Sequence, residues 1–81
     1  MSQQRKNTKL LEAIAKRLKA IRSERGLSQE IVFNDTQIHI ARIETANANV
    51  SVSTLYDLCC YYNITLQDFF SEGFAHVQKE V

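Results

Sequence analysis

The scarcity of turn-forming residues constrains the fold of this chain more than any other feature. The 81 residues include no proline and only two glycines, Gly26 and Gly73. Because the tight turns of β-sheet proteins usually contain glycine or proline, few sheet-rich domains could be built from this sequence. Helices joined by short polar turns are expected instead. A chain of this length buries only one core, so residues 1–81 are predicted to form a single domain.

Apolar residues recur at intervals of three and four along the first third of the chain. They are Leu10, Leu11, Ile14, Ala15, Leu18 and Ile21. This spacing predicts a long amphipathic helix with one apolar stripe. Asn7 or Thr8 can cap its start, and Gly26 can end it in a left-handed conformation.

A second and a third short helix are predicted to follow closely. Ser28 suits the N-cap of a helix at residues 29–33, and residues 34–36 have the composition of a turn. Ile40 and Ile43 then fit a short helix, although the alternation of apolar residues in this segment also fits a strand.

Two more helices are predicted in the second half of the chain. Ser51 or Ser53 can cap the fourth helix, and Asn63 can end it in a left-handed conformation. Thr65 can cap a short fifth helix.

Together these elements predict a compact all-α domain of five helices, with its core between about residues 8 and 71. The core is expected to draw on helices one, four and five. Residues 72–81 are predicted to form a tail that could serve dimerisation.

The charges are unevenly distributed along the chain. Residues 1–42 carry nine of the ten Lys and Arg side chains and four acidic ones, whereas residues 43–81 carry one Lys and five acidic side chains. This distribution favours a basic face that binds a polyanion, with the acidic part turned away. The alternative is that the basic residues form only the solvated side of the first helix.

Several functional classes lack their usual signals. The only histidines are His39 and His76, and no catalytic triad, phosphate loop or paired carboxylates are recognisable, so an enzyme is the least expected class. Cys59 and Cys60 are neighbours, which point roughly 100° apart on a helix. We expect reduced thiols, at least one of them in the core, and neither a metal nor a cofactor.

No apolar run reaches the roughly 18 residues of a membrane span, and the N-terminus is polar. A cytoplasmic protein without membrane contact is therefore expected.

Residues 26–44 (GLSQEIVFNDTQIHIARIE) resemble the Cro/repressor-type helix-turn-helix proteins, a family also called XRE-like. The resemblance covers about residues 10–70. Its matching positions are Arg22, Gly26, Leu27, Ser28, Gln29, Glu30, Ile40, Ile43, Glu44, Ser51, Thr54, Leu55, Leu58, Ile64, Leu66, Phe69 and Phe70. It implies a lambda-repressor-like domain in a small stand-alone transcriptional regulator that binds double-stranded DNA.

The chain departs from the family pattern in three ways. The stretch from Ser28 to Glu44 is about three residues shorter, and the gap is expected at the end of helix two and the start of helix three. The small residue of helix two and the turn glycine are both absent. Val50 stands where the family usually has proline.

The resemblance implies that residues 37–44 form the recognition element, with its N-terminal residues at base edges in the major groove. The implied base contacts are Gln37, His39, Ala41 and Arg42. Gln can pair with adenine, Arg with guanine, and Ala can touch a thymine methyl group. The alternatives are that Gln37 is a turn residue, that His39 is a cap or a surface residue, and that Arg42 pairs with Glu44 or Asp35.

Phosphate contacts are expected on both sides of this element. They are Arg17, Arg22, Ser28, Gln29, Thr45, Asn47 and Asn49. The resemblance implies that Gln29 and the backbone N–H groups at the start of helix two hold one phosphate. One of the two arginines could instead pair with Glu44 inside the domain, and the asparagines could serve turns.

Groove geometry predicts a homodimer on a palindromic operator, since one domain covers half a site. The expected interface uses Tyr61, Phe70, Phe74 and Val77. The alternative function on the same fold is an antitoxin-like or anti-regulator module that binds a protein through its acidic half. No small-molecule ligand is indicated.

Overall fold

The computed structural model describes residues 7–77. They form five helices, α1 (Thr8–Glu24), α2 (Gln29–Thr36), α3 (Ile40–Glu44), α4 (Val52–Tyr61) and α5 (Leu66–Phe69). These residues contain no β-strand, which confirms the all-α prediction and decides the open choice at Ile40 in favour of a helix. Residues 1–6 and 78–81, which belong to the predicted domain and tail, lie outside the described residues.

The helices begin at side chains that accept a hydrogen bond from the backbone of the first turn. Asn7 Oδ1 accepts from the N–H of Leu10 at 2.9 Å, and Ser28, Ser51 and Thr65 cap α2, α4 and α5 in the same way. Each of these residues was expected as an N-cap, because a short side-chain oxygen can satisfy a free N–H of the first turn. Helix α3 differs, since His39 precedes it without a side-chain cap.

Helix α2 is longer than the sequence suggests, and its predicted end at residue 33 is wrong. It continues to Thr36, whose hydroxyl donates to the Val32 carbonyl at 2.7 Å and accepts from the Ile38 N–H at 3.0 Å. Gln37 then ends the helix in the left-handed region, with φ +64°. A threonine that bonds to backbone on both sides therefore outweighs the turn propensity of the three polar residues.

The core draws on all five helices, so its expected restriction to α1, α4 and α5 is wrong. Its buried members are Ile14, Leu18, Ile21, Val32, Ile40, Ile43, Leu55, Leu58, Cys59, Tyr62 and Phe69. Val32 of α2 and Ile40 of α3 are almost fully buried. The two short helices are thus integral to the only core cluster seen among residues 7–77.

Cys59 is buried in this core and Cys60 is exposed, and both are free thiols, as expected. Burial raises the pKa of the Cys59 thiol, which makes it less reactive. None of the helices between residues 7 and 77 is both long and apolar enough to cross a membrane.

Candidate nucleic-acid interface

Helices α2 and α3, together with the three residues 37–39 between them, form a unit that we call the α2–α3 unit. Gln37, the first of these three residues, adopts a left-handed conformation, which glycine adopts without strain. Helix α2 has eight residues and α3 has five.

A partly buried ion pair ties the α2–α3 unit to α1. The guanidinium of Arg22 donates to both carboxylate oxygens of Glu44, at 2.7 and 3.0 Å, and to the Leu27 carbonyl at 2.8 Å. The exposed fractions of the two charged side chains are only 12% and 3%. The hydrogen bond from Arg22 to Glu44 raises the pKa of Arg22 and keeps it charged. The alternative role for an arginine, pairing with Glu44, is confirmed for Arg22.

Gln29 joins the same ion pair from α2. Its amide nitrogen donates to Glu44 Oε1 at 2.9 Å, so one carboxylate connects α1, α2 and α3. An amide nitrogen carries two hydrogens, and the second remains for a ligand. The ion pair thus orients Gln29 beside the α2 N-terminus.

Arg17 is also directed inward, although it was expected at a phosphate. Its guanidinium donates to the carbonyls of Phe69 and Asp68 at 2.9 and 3.0 Å, and lies 3.5 Å from the Glu72 carboxylate. The last carbonyls of a helix have no partner within the helix, and a cation there satisfies them. Arg17 therefore fastens the end of α5 to α1.

The outer face of α3 carries a single exposed cation. Ile40 and Ile43 are buried and Glu44 is engaged with Arg22, whereas Ala41 and Arg42 are exposed. Within the described part of the chain Arg42 forms no ion pair, so the alternative of a pair with Glu44 or Asp35 is absent there. Ala41 and Arg42 line a shallow cavity of about 340 Å³ with Thr45, Asn47 and Ala48.

The two residues expected to read bases ahead of α3 differ in their surroundings. The Gln37 amide donates weakly to the Phe33 and Asn34 carbonyls, at 3.5 and 3.4 Å, which favours its alternative role as a turn residue. His39 is exposed, and its ring lies 4.6 Å from the Phe33 ring, measured between centroids.

The start of α2 presents donors to solvent. Ser28 Oγ accepts from the Ile31 N–H at 3.1 Å, so its own hydrogen is left for an acceptor. The first N–H groups of a helix have no partner within it, and they favour an anion. Gln29 is exposed at the same end, and so is Glu30, whose carboxylate opposes an anion there.

Two lysines, rather than the expected arginines, are exposed where α1 faces the end of α3. A groove of about 430 Å³ runs between α1 and the end of α3, and its lining residues are Glu12, Ala15, Lys16, Lys19, Glu44, Thr45 and Ala46. Lys16 and Lys19 are exposed there. The signal was present in the sequence, because Arg22 follows Leu18 by four residues and so falls on the apolar stripe.

The loop after α3 contains the other expected phosphate contacts. The Thr45 hydroxyl donates to the Arg42 carbonyl at 2.6 Å, and must rotate to donate to a ligand. Asn47 lines the cavity beside Arg42, and Asn49 is exposed in the loop.

The residues expected at a dimer interface are only partly exposed. Phe70 is exposed, and Phe74 and Val77 are half-buried. The half-buried Tyr61 donates its hydroxyl to Asp35 at 2.5 Å and so connects α4 to α2. Val52 and Tyr56 of α4, which the sequence analysis did not assign to an interface, expose 77% and 54% of their surfaces.

Of the predicted contacts, the structure places Ala41, Arg42, Thr45 and Asn47 around one cavity, and puts Ser28 and Gln29 at one helix end. It engages the guanidinium groups of Arg17 and Arg22 in contacts within the domain. No protein-family model, curated protein or solved structure matches this chain.

Proposed function

We propose that this protein binds double-stranded DNA sequence-specifically as a transcriptional regulator, through a lambda-repressor-like helix-turn-helix. The α2–α3 unit is the helix-turn-helix, and α3 enters the major groove. The observation that carries the proposal is the asymmetry of α3. Its apolar residues and Glu44 are held inside, and the exposed Arg42 has no ion pair within residues 7–77.

The donors around α3 support contacts to phosphates. Ser28 and Gln29 lie at the α2 N-terminus, and Thr45 and Asn47 lie in the loop after α3. Because phosphate contacts supply much of the affinity for DNA, this placement favours a polyanion over a neutral ligand. We add Lys16 and Lys19 to the proposed contacts and leave out Arg17 and Arg22, whose donors are used internally.

A five-residue α3 offers few side chains to base edges. Arg42 is proposed to pair with guanine through both of its terminal nitrogens, and Ala41 to lie against a thymine methyl group. Gln37 is left out, because its amide faces the end of α2. Few base contacts favour a short half-site, and a homodimer on a palindrome would double it.

Selection of binding sites from random duplexes tests the proposal. We expect a palindromic consensus with half-sites about one helical turn apart. The logarithm of the affinity for the selected site should fall linearly with the logarithm of the salt concentration. The slope should be roughly −0.9 for each phosphate neutralised. Failure to enrich any sequence, together with weak binding that does not depend on salt, would reject the proposal.

A second candidate is a module that binds a protein, and the exposed Val52 and Tyr56 favour it. The salt dependence of duplex binding distinguishes the two candidates, because a protein-binding module should have little affinity for duplex DNA at any salt concentration.

Sedimentation of the free protein and of its DNA complex tests the proposed homodimer. A monomer in both at micromolar concentration would contradict it. A cytoplasmic location and the lack of catalytic activity remain predictions.

A further inference from the structure

An aromatic pair joins the two helices of the α2–α3 unit. The rings of Phe33 and His39 have centroids 4.6 Å apart and planes inclined by 34°. Phe33 is half-buried on α2, and His39 is exposed directly before α3. The contact therefore holds an exposed imidazole at the N-terminal end of α3.

The ring nitrogens of His39 are not used inside the domain. The residues that precede α1, α2, α4 and α5 cap those helices with their side chains, but the imidazole of His39 accepts no hydrogen bond from α3. Nor does it form another side-chain hydrogen bond with any residue in the range 7–77. Its position is set by the Phe33 ring, and its polar atoms remain for a ligand.

His39 and Arg42 also lie on the same side of α3. Residues three apart are neighbours on a helix surface. His39 and Arg42 are both exposed, and Ile40 and Ile43, another pair three apart, are both buried. The imidazole is therefore placed one helical turn before the arginine, at the helix end whose residues reach base edges in a helix-turn-helix.

We propose that His39 is a specificity-determining residue that reads a base pair next to the one read by Arg42, and that Phe33 is its positioning residue. This inference rests on the proposed DNA-binding function. A neutral imidazole donates one hydrogen bond, and the N7 acceptor of a purine in the major groove suits it. Because Phe33 already holds the imidazole in the free protein, less conformational entropy is lost when His39 contacts DNA.

The free protein provides the first test, without DNA. An aromatic ring moves the NMR resonances of protons stacked on its face upfield. The carbon-bound imidazole protons of His39 should therefore resonate upfield of a free histidine and return towards that position in Phe33→Leu. The resonances of His76, the only other histidine, are the internal control and should not move. Identical His39 resonances in the wild type and in Phe33→Leu would overturn the positioning role.

Binding-site selection provides the second test. His39→Ala should lose the preference for a purine at one base pair of each half-site, by about tenfold, and keep the preference at the pair read by Arg42. Phe33→Leu should weaken the same preference, whereas Phe33→Tyr, which retains the ring, should preserve it. Comparing the two Phe33 variants excludes misfolding as the cause, because both alter a half-buried side chain.

The possible failures are distinguishable. A wild-type consensus that His39→Ala leaves unchanged would overturn this inference alone. A wild type that selects no consensus would overturn the DNA-binding function and, with it, the reading role of His39.

Discussion

The two faces of α3 perform different tasks. The inner face carries Ile40, Ile43 and Glu44, which pack into the core or bind Arg22. The outer face carries Ala41 and Arg42, which contact solvent. A helix of five residues would not persist in water alone, so the inner face must hold it in place. Stability and the proposed recognition should therefore be separable by mutation, although the residues are neighbours in sequence.

Two arginines differ in the same way, one engaged inside the domain and the other exposed. Arg22 uses its guanidinium in three internal hydrogen bonds, and Arg42 forms no ion pair among the described residues. The apolar stripe of α1 indicates that Arg22 faces inward, but it does not show which acidic residue Arg22 meets. Which arginine meets Glu44 depends on how α1 packs against α3.

Breaking the inner face should have the largest effect. Glu44→Ala leaves the partly buried Arg22 without its carboxylate, and should lower the free energy of unfolding by about 3 kcal/mol. Urea denaturation followed by circular dichroism measures it. The control is Glu72→Ala, which removes the exposed partner of Arg17 and should cost less than about 1 kcal/mol. Equal losses in the two variants would contradict the role of Glu44.

The buried hydroxyl of Tyr62 lies behind the inner face and should make stability fall at high pH. Burial, chiefly, and the Glu44 charge raise the pKa of Tyr62 to about 12, from 10 in the unfolded chain. Between these values the folded protein holds the proton more tightly, so stability is complete below pH 10 and is lost as the pH rises towards 12, by about 2 kcal/mol.

The test is Tyr62→Phe, because the hydroxyl has no hydrogen-bond partner in the described structure. At neutral pH the variant should be as stable as the wild type or more stable by about 1 kcal/mol, since it removes an unsatisfied polar group. Its unfolding free energy should also decline less between pH 10 and 12. A loss of several kcal/mol at neutral pH would mean that the hydroxyl is bonded.

Altering the outer face should change binding and spare stability. Arg42→Ala should reduce discrimination between the selected site and a single-base variant by roughly 1–3 kcal/mol, with an unchanged urea midpoint. Arg42→Lys keeps the charge but lacks the planar fork, so it should retain affinity for random duplexes and lose much of the discrimination. If Arg42→Ala selected the wild-type consensus, α3 would not read bases through this face.

The turn before α3 should show the smallest effect. Gln37 adopts a left-handed conformation that strains most residues, so Gln37→Gly should stabilise the protein by about 0.5–1 kcal/mol. Asn63→Gly is the control, because asparagine tolerates this conformation and little gain is expected. Unchanged DNA discrimination in Gln37→Gly would support the turn role, and a changed consensus would restore Gln37 as a base contact.

Local interactions explain why much of the fold could be predicted. The caps at Asn7, Ser28 and Thr65 and the left-handed end at Asn63 involve residues a few positions apart. The stripe of α1 follows from the helical period. The end of α2 was missed because two opposing local effects, turn propensity and the Thr36 hydrogen bonds, act on the same residues.

The sequence by itself therefore determined the helical class, the order of the five helices, most of their caps and the segment that resembles a DNA-reading unit. Only the tertiary structure decided which partners the inward cations meet and how much of α3 remains for a ligand. Those outcomes depend on contacts between distant residues, such as Arg22 with Glu44, 22 positions apart, and Arg17 with Phe69, 52 positions apart. A guanidinium pairs with whichever carboxylate or carbonyl the packing brings near it, and no periodicity in the sequence encodes that choice.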